Sequence, residues 1–214
     1  MSTNNVDHHI EIDFNTTAGG APMRKIPTLF QRDPDDRRYV TDEVTPGCEW
    51  VLTGDGVPTR KFDGTCVMLD ADGKWWARRE VKPGRAAPAN YVPVTTDEIT
   101  GKTMGWEPVE QSSFAKFHAE AVQPLREFAA LTHAALRPGT FELIGPKING
   151  NPERAKRHRL QRHSTADRIA WENEDGTPGT PLDLIEMCRE EGWEGVVWHH
   201  PDGRMVKLKV RDFR

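Results

Sequence analysis

The stretch Pro58-Thr-Arg-Lys-Phe-Asp-Gly-Thr65 joins a polar segment to the apolar run Cys66-Val-Met-Leu69. The apolar run is typical of a half-buried strand, and Asp63-Gly64 is typical of a tight bend before it. We therefore expect Lys61 to lie beside a strand and partly out of water, where an amine loses some of its preference for charge. Such an amine can act as a nucleophile near neutral pH. Taken alone, this pattern is explained more often by a surface lysine in a hairpin turn.

Three later segments carry charged residues within apolar, strand-like sequence. Phe141-Glu-Leu-Ile-Gly145 contains Glu142, and Glu194-Gly-Val-Val-Trp198 begins with a carboxylate. Val206-Lys-Leu-Lys-Val210 spaces two lysines by two, which sends both side chains to one face of a strand. Each segment also has an ordinary explanation: a carboxylate at a strand edge, a charge between helix and strand, or lysines that protect an edge strand from aggregation.

The order of the four motifs, which is Lys-x-Asp-Gly, Glu, Glu-Gly-Val-Val and Lys-x-Lys across residues 61–209, resembles the covalent nucleotidyltransferase superfamily. That superfamily includes polynucleotide ligases and messenger-RNA capping enzymes. The resemblance implies a catalytic lysine that forms a lysyl-adenylate through a phosphoramidate bond, and it gives the other motif residues roles around the nucleotide. By this resemblance Lys61 is the nucleophile, Asp63 and Gly64 shape its loop, Glu142 contacts the ribose, Glu194 works with the metal, and Lys207 and Lys209 grip the α-phosphate as catalytic lysines.

A further motif of this superfamily is an arginine on the strand after the lysine. Arg78 and Arg79 both lie in range and point to opposite faces of that strand. Arg79 fits the pattern better and is the expected nucleotide contact, which leaves Arg78 as a contact to RNA. Lys82 is either a phosphate contact or an exposed loop lysine.

The loop after Glu142 is Gly145-Pro-Lys-Ile-Asn-Gly-Asn-Pro152, in which Lys147 and Asn149 either reach polyphosphate or nucleic acid or belong to a plain turn. The aromatic side chain that stacks on the base in related proteins is not identified by sequence. His163 and Trp171 are the candidates, and Trp171 is better explained as a packing residue.

Residues 153–168 are the most basic stretch of a chain whose formal net charge is −4. A local cationic patch on an acidic protein is where a phosphate backbone is expected to bind. A solvated charged face is the alternative. The residues expected to bind RNA here are Arg154, Lys156, Arg157, Arg159 and Arg162.

No OB-fold domain follows Lys209 in this sequence, whereas DNA ligases and capping enzymes normally continue into one. That difference favours the RNA-ligase side of the superfamily. The strings Arg24-Lys-Ile-Pro-Thr-Leu-Phe30, Glu43-Val-Thr-Pro46, Lys61-Phe-Asp-Gly-Thr-Cys66 and Glu142-Leu-Ile-Gly-Pro-Lys147 resemble a compact ATP-dependent 5′-to-3′ RNA ligase family with a vertebrate RNA-repair member.

The resemblance implies ATP and Mg²⁺ or Mn²⁺ as cofactors, and RNA with 5′-phosphate and 3′-hydroxyl ends as the partner, recognised without tight sequence preference. Two other functions stay open at this point. One is a transferase that AMPylates or guanylylates a non-RNA acceptor, and the other is an RNA-binding domain with a degenerate site.

Composition and segment patterns indicate the cellular compartment expected for the protein and the redox state of its cysteines. The 214 residues contain no apolar run long enough to cross a bilayer and no signal-peptide pattern, so a cytoplasmic protein is expected. The sequence does not give the oligomeric state, and a monomer is favoured. The three cysteines Cys48, Cys66 and Cys188 are far apart and lack zinc-site spacing, which indicates reduced thiols.

The short, hairpin-linked strands predict an α+β fold with antiparallel sheets flanked by helices. The resemblance implies that this fold is a nucleotidyltransferase (ATP-grasp-like) adenylation domain without an OB-fold domain. We expect a flexible tail at residues 1–22, with a short strand at Ile10–Phe14, and an adenylyltransferase domain at 23–214. Predicted elements are hairpins over 66–81 and 196–210, a helix from Ser112 or Ser113 that Pro124 kinks or divides, and a helix over 180–192. A strand at Val51–Leu52 and a long irregular segment at 83–111 complete the prediction.

Overall fold

A computed structural model describes residues 25–132, 136–172 and 179–214. Within these residues the protein is an α+β structure whose sheets are antiparallel, as the sequence predicts. The expected tail at 1–22 and the strand at Ile10–Phe14 lie outside the described residues. No helix in the described ranges combines the length and the apolarity that crossing a bilayer requires.

The larger sheet has six strands in the order β6-β7-β5-β4-β8-β9. Their bounds are β4 Thr65–Leu69, β5 Trp75–Val81, β6 Val92–Thr96, β7 Thr103–Pro108, β8 Gly139–Ile144 and β9 Arg159–Arg162. Helix α1, Ala115–Thr132, buries Ala121 and Val122 against Val67 and Leu143 of this sheet. The predicted hairpin at 66–81 is confirmed, because β4 and β5 pair directly with Val67 opposite Ala77.

The smaller sheet has three strands in the order β11-β10-β3, with bounds β3 Val57–Lys61, β10 Gly195–His199 and β11 Met205–Lys209. Helix α2, Pro181–Glu191, packs on it through Leu184, Ile185 and Cys188. The predicted final hairpin and the predicted second helix are both confirmed. A further pair, β1 Phe30–Arg32 and β2 Val40–Val44, forms a two-stranded sheet.

Several predicted elements are wrong. Residues 83–111 contain strands β6 and β7 rather than irregular structure, and Glu49–Val51 is a 3₁₀ turn where a strand was expected at Val51–Leu52. Helix α1 begins at Ala115, and Pro124 lies within it without dividing it. Three large apolar residues of the two helices are exposed: Phe128, Leu131 and Leu182.

The chain crosses from the smaller sheet to the larger one at residues 62–64, between Lys61 at the end of β3 and Thr65 at the start of β4. Gly64 is required here by close approach, since a Cβ at this position would lie 2.3 Å from the Leu143 carbonyl oxygen. The crossing therefore brings the Lys61 loop against β8, the strand that carries Glu142.

Candidate active site

A cavity of about 480 Å³ is lined by residues of both sheets and of the 62–64 crossing. The side chains predicted from the four motifs meet in its walls. Those that line it are Lys61, Asp63, Gly64, Glu142, Glu194, Lys207 and Lys209.

Glu194 is shared by two lysines. Lys61 Nζ donates a hydrogen bond of 2.5 Å to Glu194 Oε2, and Lys209 Nζ donates to Glu194 Oε1. The strand register explains the arrangement, because Gly195 pairs with Lys61 on one side and with Lys209 on the other. The Glu194 side chain is only 7% exposed, so this is a largely desolvated charge cluster.

The cluster changes the acidity of its members. Burial disfavours the charged form of Lys61, but the carboxylates of Glu194 and Glu142 outweigh burial and hold the pKa of Lys61 above its ordinary value. The expectation that Lys61 loses its preference for charge is therefore wrong for this state of the protein. Burial also opposes the Glu194 carboxylate, yet Lys61 and Lys209 outweigh it and lower the pKa of Glu194.

Lys207 is the lysine whose charge is disfavoured. Burial, followed by repulsion from Lys209, Lys61 and Arg78, lowers the pKa of Lys207 to about 7. Burial and Lys61 also lower the pKa of Lys209. The Lys207 backbone nitrogen donates to the Pro27 carbonyl oxygen, and the Lys207 carbonyl oxygen accepts from the Leu29 backbone, which fixes the position of Lys207 in the strand. A cavity in which cations repel one another in this way favours an anionic ligand such as a polyphosphate.

Glu142 joins the Lys61 loop to the larger sheet. Its Oε1 accepts a 3.1 Å hydrogen bond from the Gly64 backbone, and its Oε2 lies 3.1 Å from His163 Nε2. The other ring nitrogen of His163 lies 2.9 Å from Thr140 Oγ1. His163 therefore lines the cavity as a partner of Glu142, whereas Trp171, the other candidate base-stacking residue, packs edge-on against Trp198.

Two arrangements bear on metal binding. Ligand atoms of Cys66, Glu142 and His163 lie within 4.8 Å of one another, but burial and Glu142 raise the pKa of the Cys66 thiol to about 12. Thiol and imidazole are also poor ligands for Mg²⁺, which prefers oxygens. Glu194 offers carboxylate oxygens, and a cation there would replace positive charge now supplied by the two lysines.

The structure separates the two candidate arginines. Arg78 lines the cavity, while Arg79 is exposed and does not. Strand alternation turns only one of the two toward the cavity, and that residue is Arg78 and not Arg79, the expected nucleotide contact. Lys82 and Lys147 are exposed and outside the cavity wall, whereas Asn149 is part of it.

The RNA-binding residues predicted within the basic segment 153–168 lie outside the cavity wall, whereas Arg78, also predicted to contact RNA, lines the cavity. Four are exposed: Arg154, Lys156, Arg157 and Arg159. Arg162 is only partly exposed. Its guanidinium donates to the carbonyl oxygens of Arg137 and Pro138 and lies over the Phe141 ring.

Four residues of the site were missed by sequence reasoning. Arg60 and Glu153 form a 2.5 Å ion pair beside the Lys61 loop. Thr59 and His199 are buried in the cavity wall with Thr59 Oγ1 3.1 Å from His199 Nε2, and burial lowers the pKa of His199 to about 4. The sequence signal for the ion pair is Glu153, an acidic residue at the start of the basic segment 153–168. Thr59 and His199 carried no sequence signal, because both occupy ordinary strand positions.

Comparison with curated proteins finds several relatives that carry the same name. A curated protein from Pongo abelii named RNA ligase 1 is 27% identical over 71% of this chain. This chain is similar to proteins named RNA ligase 1. The one from Rattus norvegicus is 26% identical over 71% of this chain, and the one from Danio rerio is 23% identical over 95% of it.

The matched region covers 65% of the length of the Pongo abelii and Rattus norvegicus proteins and 79% of the Danio rerio protein. The chain thus spans a little under two thirds of the two mammalian relatives. No protein-family model matches it. At these identities the relatives support an RNA ligase family and no finer assignment.

Proposed function

We propose that this protein is an ATP-dependent RNA ligase of the covalent nucleotidyltransferase superfamily that uses Lys61 as its nucleophile. The observation that carries the proposal is the ion-paired cluster of Lys61, Glu194 and Lys209 in one cavity with Glu142 and Lys207. The similarity to proteins named RNA ligase 1 supports the choice of acceptor.

In the first step the Lys61 amine attacks the α-phosphorus of ATP, a P–N bond forms, and the bond to pyrophosphate breaks. The amine must first lose a proton to solvent, and Glu194 Oε2, which accepts its hydrogen bond at 2.5 Å, orients the amine. Lys207, Lys209 and Arg78 line the same cavity and would balance charge on the phosphates.

The site fits a divalent cation as well as a polyphosphate. Mg²⁺ is commonly held by one or two carboxylates together with substrate phosphates, and Glu194 is the residue that would hold it here. When bound, Mg²⁺ or Mn²⁺ lowers the charge barrier on the phosphates. Loss of a proton from Lys61 offsets the positive charge that such an ion adds beside Glu194.

Two further steps complete the reaction. An oxygen of an RNA 5′-phosphate attacks the phosphorus of lysyl-AMP, the P–N bond breaks, and the lysine amine takes a proton. The 3′-hydroxyl of a second RNA end then attacks the 5′-phosphorus, loses its proton, and releases AMP. The exposed cations of residues 154–159 are suited to hold the RNA backbone outside the cavity.

The test is covalent labelling followed by end joining. We expect purified protein with Mg²⁺ to take up radioactivity from ATP labelled at the α-phosphate, and Lys61→Ala to take up none. Chased with 5′-phosphorylated nicked or single-stranded RNA, the labelled protein should lose its label as a sealed strand appears.

Other outcomes separate the remaining functions. Label that enters the wild-type protein but never yields joined RNA indicates a nucleotidyltransferase with another acceptor. Stronger labelling from GTP than from ATP would show that GTP, and not ATP, is the nucleotide substrate. A folded wild-type protein that takes no label from any nucleotide with Mg²⁺ or Mn²⁺ overturns the proposal and leaves an RNA-binding domain.

A further inference from the structure

We propose that Asn149 and Glu153 are positioning residues for the nucleophile, holding the loop after Lys61 so that its amine faces the α-phosphate. The inference rests on the proposed function, and it concerns two side chains that belong to none of the motifs. Both come from the loop between β8 and β9, which we call the clamp loop and define as residues 145–154.

Glu153 binds the Lys61 loop and the residue that precedes Lys61. Its Oε1 accepts a 2.9 Å hydrogen bond from the Asp63 backbone, and its Oε2 accepts a 2.5 Å bond from Arg60. The Glu153 side chain is 5% exposed, so these are desolvated, charge-assisted bonds. The Arg60 guanidinium in turn lies between the rings of Phe62 and Trp193, 4.4 and 4.7 Å from their centroids.

Asn149 holds the other end of the same loop. Its side-chain amide donates to the Gly64 carbonyl oxygen at 2.6 Å and to Asp63 Oδ1 at 3.3 Å. Together with Glu142, which accepts from the Gly64 backbone, three side chains hold residues 63 and 64. This is more restraint than a solvent-facing turn requires, because water would satisfy the same backbone groups.

The clamp loop is itself built in a costly backbone conformation. Asn149, Asn151 and Arg154 have positive φ values of 47°, 61° and 49°, and among the described non-glycine residues only Asn90 shares this feature. Such conformations persist where surrounding structure over-determines them, and they concentrate at functional sites. Here the Asn151 side chain bonds both to the backbone nitrogen and to the carbonyl of Ala155, which stabilises the strained turn.

The physical reason for such a clamp lies in the first chemical step. An in-line attack requires the amine, the phosphorus and the leaving group to be aligned, and a displacement of about 1 Å costs on the order of 100-fold in rate. Sealing of RNA that already carries a 5′-adenylyl pyrophosphate group does not use Lys61 as a nucleophile. A positioning role therefore predicts a loss confined to formation of lysyl-AMP.

The experiment compares Asn149→Asp and Glu153→Gln with the wild type. Aspartate tolerates positive φ and keeps the shape of asparagine, but it turns a donor into a charge facing the Gly64 carbonyl and Asp63. Glutamine keeps one acceptor for Asp63 and loses the charge that holds Arg60. The matched control is Asn90→Asp, the same change at the exposed positive-φ asparagine outside the clamp loop.

At saturating ATP we expect the single-turnover rate of lysyl-AMP formation to fall roughly 10- to 100-fold in both clamp variants, with Asn90→Asp within about threefold of wild type. Sealing of pre-adenylylated RNA should stay within about threefold in all three. Unchanged lysyl-AMP formation in the clamp variants overturns the proposal, and so does an equal fall in both reactions, which indicates general damage to the fold. If the wild type forms no lysyl-AMP, the proposed function fails instead.

Discussion

At the scale of single residues, Lys207 offers the clearest pH dependence. Its pKa is lowered to about 7 by burial and by neighbouring cations, so at pH 8 most of the free protein has a neutral amine at this position. A bound phosphate anion favours the charged form and raises this pKa toward that of an ordinary lysine. Binding above pH 7 must therefore take up a proton, and affinity must fall as the pH rises from about 7.

We expect binding of AMP, whose phosphate is already fully ionised at pH 8, to take up close to one proton, about 0.9 for a Lys207 pKa of about 7 that rises well above 8 on binding. Calorimetry in two buffers of different ionisation enthalpy measures this quantity. Lys207→Met should remove most of the uptake. Uptake near zero in the wild type, or uptake unchanged in the variant, contradicts the assignment.

The residue types of the cluster could be predicted from the sequence, but their electrostatics could not. Spacing on β5 shows that Arg78 and Arg79 face opposite ways, yet only the packing of the two sheets decides which one faces the cavity. Likewise, the rise in the pKa of Lys61 depends on a carboxylate 133 residues later in the chain. Burial alone, which a strand pattern does predict, would have lowered the pKa of Lys61.

At the scale of elements, helix α2 carries Glu194 toward the site and owes its start to a capping box. Thr180 Oγ1 accepts from the Asp183 backbone at 3.2 Å, and Asp183 accepts from the Thr180 backbone at 2.8 Å. Thr180→Ala should lower the free energy of unfolding by about 1 kcal/mol. For a chain of this size that is a fall of roughly 2–4 °C in Tm.

Thermal unfolding followed by circular dichroism checks this, with Ser113→Ala as the control. Ser113 is exposed and precedes α1 by two residues, so its loss should cost less than about 0.5 kcal/mol. Equal Tm shifts in the two variants would show that the capping box of α2 is not the source of the difference. Lysyl-AMP formation at 25 °C should be unchanged in both.

Elements with strong local signals were predictable, and those held by tertiary pairing were not. The hairpin over β4 and β5 and helix α2 carry their own turn and cap residues. Strand β6 contains Pro93 and was read as irregular, but it lies at the edge of the six-stranded sheet, where proline is tolerated. Helix α1 buries Ala121 and Val122 but exposes Phe128 and Leu131, so only part of its apolar pattern faces the core.

At the scale of the whole molecule, the site exists because two sheets meet at one short crossing. Lys61 ends a strand of the smaller sheet, Glu142 lies in the larger one, and Glu194 precedes a strand paired with β3. The order of the motifs implied that these residues meet. The contacts of the clamp loop with the crossing could not be inferred from the sequence. They depend on positive φ values at Asn149 and Asn151, which asparagine tolerates but which its presence in a sequence does not imply.

Positive charge is concentrated in one exposed segment of an otherwise acidic molecule. The chain has a net charge of −4, yet four exposed cations lie close together in sequence outside the cavity wall: Arg154, which ends the clamp loop, and Lys156, Arg157 and Arg159, which follow it. Each phosphate neutralised on single-stranded RNA contributes about 0.7 to the dependence of log affinity on log salt concentration. If these four residues bind the backbone, replacing all four by glutamine should reduce that slope by up to about 2.8 and weaken binding several-fold at 0.1 M salt.

Fluorescence anisotropy of a labelled 5′-phosphorylated RNA, titrated at four or five salt concentrations, measures the slope directly. The matched control replaces four other exposed cations by glutamine, Arg37, Lys74, Arg85 and Arg126, and so changes the net charge equally. Lysyl-AMP formation should be unaffected in the control variant, because none of its four residues lines the cavity or belongs to the clamp loop. A slope that falls equally in the two variants would mean that RNA responds to net charge alone, and the basic segment would then be a solvated face with no binding role.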